Sequence, residues 1–242
     1  MSGRLTGKVV VVTGAARGMG RAAAKAYAEA GARVYALDVL GDEVATLAAS
    51  NLTALRMDLT DAGDIAATFA LIETDAGQID VLVNNAGIIF FKPIEETSVE
   101  AWDRLQAVNL RGPFLCTRAV APGMKARRSG AIINVSSRAG RFGGDNESAY
   151  CASKFGIEGF SRALAIEFGK YNVSVNSLTP GHPVHTAMSE ITYDAETRKI
   201  WKEPEDLTPA FVHLATQDAC GIHDQYVSAW ELSEKLRAEG MA

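Results

Sequence analysis

The chain predicts an open α/β fold, a parallel sheet with helices on both faces. Short apolar runs alternate with helical stretches almost to the end of its 242 residues, the pattern of repeated β-α-β units. Val9 to Val12 are four β-branched residues in succession, as expected of a strand buried on both faces. Polar residues fall where the runs end, at Gly14, Asp38, Asp58, Asn84, Ser137 and Pro180. Open parallel sheets bind ligands beyond those carboxyl ends.

The elements follow in order. After the first strand come Gly14, Gly18 and Gly20, then an Ala-rich helix from Arg21 to Ala30. Strand two is Arg33 to Leu37, closed by Asp38, and a short helix is expected over Asp42 to Ser50. Strand three lies near Leu52 to Met57, and Asp61 caps a helix running to about Ala76. Strand four, Ile79 to Val83, precedes Asn84-Asn85-Ala86-Gly87. A long helical region spans Val99 to Arg128, bent at Gly112-Pro113. Strand five is Ala131 to Val135, the next helix Ala149 to Lys170, and strand six Val173 to Leu178, ended by Thr179-Pro180-Gly181. Glu205 to Thr216 reads as helix and Gln225 to Ser228 as a last strand.

The length and the lack of any linker, charge block or repeat predict one domain over residues 1–242. Hydrophobic residues are 48% and the net charge is −5 with no basic run, which argues against nucleic acid or an anionic membrane as partner. No apolar segment approaches spanning length, and the first residues do not read as a signal peptide. Cys116, Cys151 and Cys220 have no pairing or metal spacing, so no metal is expected and the compartment is read as the cytoplasm.

The first glycine turn is the strongest motif. Glycine lets backbone approach a pyrophosphate, and the helix that follows turns its free N–H groups and positive dipole end toward that anion. Asp38 would accept hydrogen bonds from both ribose hydroxyls of an adenosine and repel a 2′-phosphate; a strand-end turn is the plainer role for an Asp there. Asp58 would hold the adenine edge or cap the next helix. Tyr150 and Lys154, four apart on a helix, share a face about 6 Å apart along the axis. An ammonium beside a phenol would lower the phenol's pKa toward neutrality, making an acid/base. Ser137, just past strand five, would aim its hydroxyl at the same spot while Ser136 faces away. Asn109 stands mid-helix, where its propensity is poor; it is either an exposed polar residue or a water anchor behind the lysine.

Thr13-Gly14-x-x-x-Gly18-x-Gly20, Asp58-Leu59-Thr60, Asn84-Asn85-Ala86-Gly87, Asn109, Ser137, Tyr150-x-x-x-Lys154 and Pro180-Gly181 occur in this order over residues 5 to about 186. As an ordered set they resemble the short-chain dehydrogenase/reductase family, in its compact single-domain branch. The resemblance implies a doubly wound (Rossmann) sheet of about seven strands, a nicotinamide cofactor, and a homotetramer or homodimer. It implies that Tyr150 is the acid/base, that Ser137 orients the substrate oxygen, and that Lys154 holds the nicotinamide ribose and tunes Tyr150. Asn109 would support a water in a proton relay. Gly14, Arg17, Gly18, Met19, Gly20, Asp38, Asp58, Leu59, Asn85, Ala86, Gly87, Pro180 and Gly181 would line the cofactor, and Thr186 its carboxamide.

Four residues separate Gly181 from Thr186 where the family commonly has three. The lid, about 182–204, is short. The last strand lacks the family's flanking residues, and the tail, 229–242, reads as a surface or interface helix with Leu232 and Leu236 on one face and Glu231 able to pair with Lys235. The function expected is hydride transfer between NAD and a secondary alcohol or ketone, in the direction of alcohol or polyol oxidation. The alternatives are an NADP-dependent ketone (3-oxoacyl-type) reductase, to which Arg17 points, and a non-catalytic cofactor-sensing protein; a sugar-nucleotide epimerase usually needs a longer chain. Val39 and Leu40 offer no phosphate partner, and Arg17 is free to face solvent or pair with Asp38, so NAD is preferred. The substrate pocket is expected to draw on Ile88 to Phe91, Arg138 to Phe142, Glu147 and His182 to Trp201, with Arg138 and Arg141 facing solvent.

Overall fold

A computed structural model describes residues 3–242. Seven parallel strands form one sheet: β1 Val9–Thr13, β2 Arg33–Asp38, β3 Leu52–Arg56, β4 Val81–Asn84, β5 Gly130–Val135, β6 Val173–Thr179 and β7 Tyr226–Ser228. Their order is β3-β2-β1-β4-β5-β6-β7. β1 is central, with Val10 beside Val34 of β2 on one side and Val81 of β4 on the other. The chain reverses its direction of travel across the sheet between β1 and β4, which opens a crevice above their carboxyl ends.

The valine run of β1 is explained by its two buried faces. Val10 and Val12 pack with Tyr27 and Phe211, while Val9 and Val11 pack with Phe69, Val120 and Phe168. One face is covered by α1 (Gly18–Glu29), α9 (Thr208–Ala215) and α10 (Ala229–Ala238). The other is covered by α3 (Ala62–Ala76), α5 (Gly112–Arg127) and α6 (Ser148–Gly169). Tyr27 is fully buried and donates its hydroxyl hydrogen to the Phe211 carbonyl at 3.1 Å, joining α1 to α9. Asp61 caps α3 by accepting from the Gly63 and Asp64 N–H groups, as its sequence position predicts.

Several boundaries differ from the sequence expectation. α1 begins at Gly18 rather than Arg21, so the helix includes the last glycines of the turn. α2 is a single turn, Gly41–Ala45, where a helix to Ser50 was expected. The remainder turns back so that the Ala49 and Leu52 main chains bond each other. The long helical region is interrupted just before Gly112-Pro113. α4 (Val99–Gln106) passes into a wide π turn over Ala107–Arg111 before α5 begins, and Pro113 sits in the first turn of α5, where its missing N–H costs nothing. The segment before α9 starts as a tight turn, Pro204–Leu207.

The tail is part of the packed body. Leu236 is buried, and Ser233 accepts from the Ala210 N–H at 3.1 Å and donates to the Leu207 carbonyl at 3.2 Å. Lys235 lies 4.0 Å from Glu239, not paired with Glu231 as expected.

Candidate active site

A cleft of about 1080 Å³ runs across the carboxyl ends of the strands. Its floor at one end is the glycine turn. Gly14 and Gly18 both have positive φ, and a Cβ on Gly14 would lie 2.6 Å from the Ala86 Cα. Only glycine permits β1 and the β4 loop to approach that closely. α1 then starts with no side-chain cap and no acidic residue in its first turn, so its leading N–H groups are left for an anion. Gly20 and Gly181 serve packing. A Cβ on Gly20 would meet the Gly14 carbonyl oxygen at 2.1 Å, and one on Gly181 would meet the Ser228 hydroxyl at 2.0 Å.

Asp38 lies on this wall. Its carboxylate accepts from the Ala16 N–H at 2.9 Å and the Leu40 N–H at 3.0 Å, which fixes its direction while leaving acceptor capacity. Arg17 is exposed, as expected, and its guanidinium is bound by Glu43 of α2 rather than by Asp38. Met19, Leu59, Asn85 and Gly87 also line the cleft. Asp58 accepts from the Thr60 N–H and hydroxyl, both at 2.8 Å, and that N–H holds its carboxyl below the usual range. It forms a tight Asx turn, while Asp61 does the capping. Asn85 donates to the Thr13 and Gly14 carbonyls at 3.0 Å, tying β4 to the glycine turn.

At the opposite end the structure brings Ser137, Tyr150 and Lys154 to one wall. Lys154 is 4% exposed, and its Nζ donates to the Val135 carbonyl at 2.9 Å and stands 5.6 Å from the centre of the Tyr150 ring. Burial draws its pKa down to about 8. Tyr150 is pushed up to about 12 by burial, against a smaller opposing pull from the Ser137 hydroxyl. The lowered phenol expected from the sequence is therefore corrected: in the protein alone desolvation raises it, and Ser137 rather than Lys154 is the group that pulls against that rise. Ser136 turns its hydroxyl inward beneath Gly140, where it is buried without a partner.

Asn109 is 1% exposed, which rules out an exposed polar residue. It sits in the π turn, where its Oδ1 accepts from the Ile88 N–H at 2.8 Å and its Nδ2 donates to the Ile88 carbonyl at 2.9 Å. A second bond to the Ser153 hydroxyl at 3.1 Å reaches α6. The side chain is thus spent on clamping the β4 loop beside Lys154. A Cβ on Gly87 would stand 3.6 Å from Asn109 Oδ1 and 3.7 Å from Lys154 Nζ.

Thr186 reaches the cleft despite the extra residue before it. It caps α7 (Ala187–Thr192), and its methyl lies 3.1 Å from where a Gly18 Cβ would be. The segment 182–204, expected as a lid, has a main-chain bridge between Val184 and Lys202. His185 stacks on Trp201 at 4.1 Å, between Glu190 at 3.0 Å and Glu203 at 3.2 Å, and these partners hold its pKa above the ordinary value. Tyr226 of β7 donates its hydroxyl hydrogen to the Ser137 carbonyl at 3.3 Å. Arg141 is exposed, as expected, and its guanidinium lies 3.6 Å over the Tyr226 ring. Arg104, Val108 and Arg111 of the α4 and π-turn stretch also line the cleft. The sequence offered no signal for them, because it did not show that this stretch borders the cleft.

The profile of the short chain dehydrogenase family matches residues 8–197. A D-threitol dehydrogenase of Mycolicibacterium smegmatis is 37% identical over 91% of this chain and 90% of its own. A cyclopentanol dehydrogenase of Comamonas sp. is 34% identical over 91% of this chain and 94% of its own. A solved structure provisionally assigned as an NAD(P)-dependent gluconate 5-dehydrogenase from Beutenbergia cavernae, with NADP at low occupancy, superposes with a TM-score of 0.85 at 34% identity, over 94% of this chain and 98% of that one. The family match over most of the chain and relatives of this identity and coverage show that the chain belongs to the short-chain dehydrogenase/reductase family.

Proposed function

We propose that the protein oxidises a secondary alcohol, of the polyol or small cyclic class, with NAD. One observation carries this reading: a single cleft joins an uncapped helix start and Asp38 at one end to Ser137, Tyr150 and Lys154 at the other. The glycine cradle fits a pyrophosphate, and Asp38 fits an unphosphorylated ribose. The family relatives named for threitol and cyclopentanol support the substrate class. Bound oxidised nicotinamide would supply the hydride acceptor.

Ser137 holds the substrate oxygen and Tyr150 takes the hydroxyl proton. Lys154, as the ammonium, donates to the ribose hydroxyls and favours the phenolate that Tyr150 must become. Asn109 keeps the β4 loop seated beside that lysine, and a relay water is assigned to this corner. Gly14, Gly18, Met19, Leu59, Asn85, Ala86, Gly87, Pro180 and Thr186 form the cofactor's bed. Residues 1–242 act as one unit with a lid over 182–204. The free thiols of Cys116, Cys151 and Cys220 fit a reducing compartment such as the cytoplasm. Pairing of subunits through α5 and α6 is supported by Phe114, Phe155 and Ile166, which are 45%, 50% and 78% exposed.

A second reading, an NADP-linked ketone reductase, is favoured by the NADP in the similar Beutenbergia structure. Polyols and cyclic secondary alcohols, each offered with NAD and with NADP while reduced-nicotinamide absorbance is followed, separate the two. Turnover that needs NADP and a ketone would replace the first reading with the second.

A further inference from the structure

We propose that Glu158 is the internal counter-charge of Lys154: a buried carboxylate one turn along α6 that keeps the lysine in its ammonium form. The proposal rests on the reading of Tyr150 and Lys154 as the reacting pair. It makes Glu158 a positioning residue, which acts through the lysine and touches neither substrate nor cofactor.

The two residues are four apart on α6 and so share a face. Lys154 is 4% and Glu158 7% exposed. Glu158 Oε2 accepts from the Ser177 hydroxyl at 3.0 Å, and Oε1 has no partner. A half-satisfied buried carboxylate is costly to keep, and such groups in a native fold call for a reason beyond packing. Gly140, in the turn that begins at Ser137, explains the burial. A Cβ there would lie 3.0 Å from Glu158 Cγ and 2.9 Å from the Ser136 hydroxyl, so the serine's own turn closes over the carboxylate stem.

The other charged groups around this pair leave its interaction intact. A polar cleft of about 350 Å³ behind α6 places Arg141 and Arg162 on the Glu158 side, with Asp224 and Tyr226 from the β7 approach. Among the described residues neither arginine forms an ion pair with Glu158, and Arg141 is committed to the Tyr226 ring. On the lysine side stand Tyr150 and the Val135 carbonyl. With both side chains nearly enclosed, a charge one turn away is felt more strongly than it would be in water. Burial pulls Lys154 down to about 8, and Glu158 is the group that opposes the fall. Without it, the lysine's midpoint would fall closer to neutral pH, and its hold on the phenolate would weaken.

Glu158→Gln tests this, because it keeps the shape and an acceptor for Ser177 while removing the charge. The lysine is followed by carbon NMR titration of its Cε in the protein alone, assigned by its loss in Lys154→Met. In E158Q the Lys154 midpoint is expected to fall by at least about half a pH unit. The alkaline limb of alcohol oxidation should fall at correspondingly lower pH, with the melting temperature little changed. Ser177→Ala, which removes the hydrogen bond and leaves the charge, should keep the wild-type midpoint. If E158Q does not fold, Glu158→Leu, an apolar replacement of similar volume, carries the same expected fall. A folded uncharged variant with the wild-type lysine midpoint overturns the proposal. Absence of any alcohol turnover by the wild-type protein would instead remove the reading of the site, and the NMR titration would still decide the pairing.

Discussion

Glu43 binds Arg17 through the arginine's Nε and a terminal nitrogen, so the arginine inside the glycine turn is paired with α2. On the proposed reading, that carboxylate would compete with a 2′-phosphate for Arg17. Glu43→Gln should release it and move cofactor preference several-fold toward NADP, while Asp38→Ser should shrink an NAD preference of about tenfold in the wild type. Ratios of kcat/KM for the two cofactors measure both. An unchanged ratio in E43Q would mean that Arg17 does not face the ribose.

Tyr150→Phe retains the ring and loses the proton carrier. Turnover should drop by at least about a hundredfold while cofactor binding, read by fluorescence titration, persists. Near-normal turnover would remove Tyr150 from the chemistry. Because burial raises the phenol to about 12, wild-type oxidation should climb with pH on its acid limb.

Lys154 carries a stability cost. Its pKa is lowered in the fold to about 8 from 10.5, so the unfolded chain binds more protons between those values and stability rises with pH across that window. Below pH 8 the cost is fully present. Lys154→Met removes that cost but also strands the Glu158 carboxylate and the Val135 carbonyl, so the sign of its effect at neutral pH is set by those opposing losses, while cofactor binding and activity weaken. The melting-temperature difference between the two proteins should shift in favour of wild type from pH 8 upward. A gap constant with pH would show that burial of the charge is not its source.

Truncation after Ser228 removes α10 and uncovers α9. It also leaves the Ala210 N–H without Ser233. A fall in melting temperature of several degrees is expected, and Ser233→Ala alone should cost about 1–3 kcal/mol. Chemical denaturation measures the point variant. A truncated protein that melts like the full chain would show that the helix is dispensable.

Much of this was readable along the chain because its causes are local. The valines of β1, the Asp61 cap and the Tyr150–Lys154 spacing each depend on a few neighbouring residues. The π turn was not readable, since it is held by Asn109 bonding the main chain of Ile88, 21 residues earlier in sequence. The partner of Arg17 was hidden for the same reason: Glu43 lies 26 residues on, beyond β2. The sign of the Tyr150 shift was missed because spacing reports that a lysine is near, whereas desolvation depends on how the β4 loop and lid enclose the ring.

The hydroxyl of Tyr226 against the Ser137 carbonyl has a consequence for synthesis. A ribosome delivers the glycine turn, the serine, the tyrosine and the lysine long before it delivers the strand that steadies the serine's turn. A nascent chain paused before β7 would already carry Ser137, Tyr150 and Lys154 and still lack the bond that Tyr226 makes to the Ser137 main chain. The last support of that turn would thus arrive late in translation, with the closing edge of the sheet.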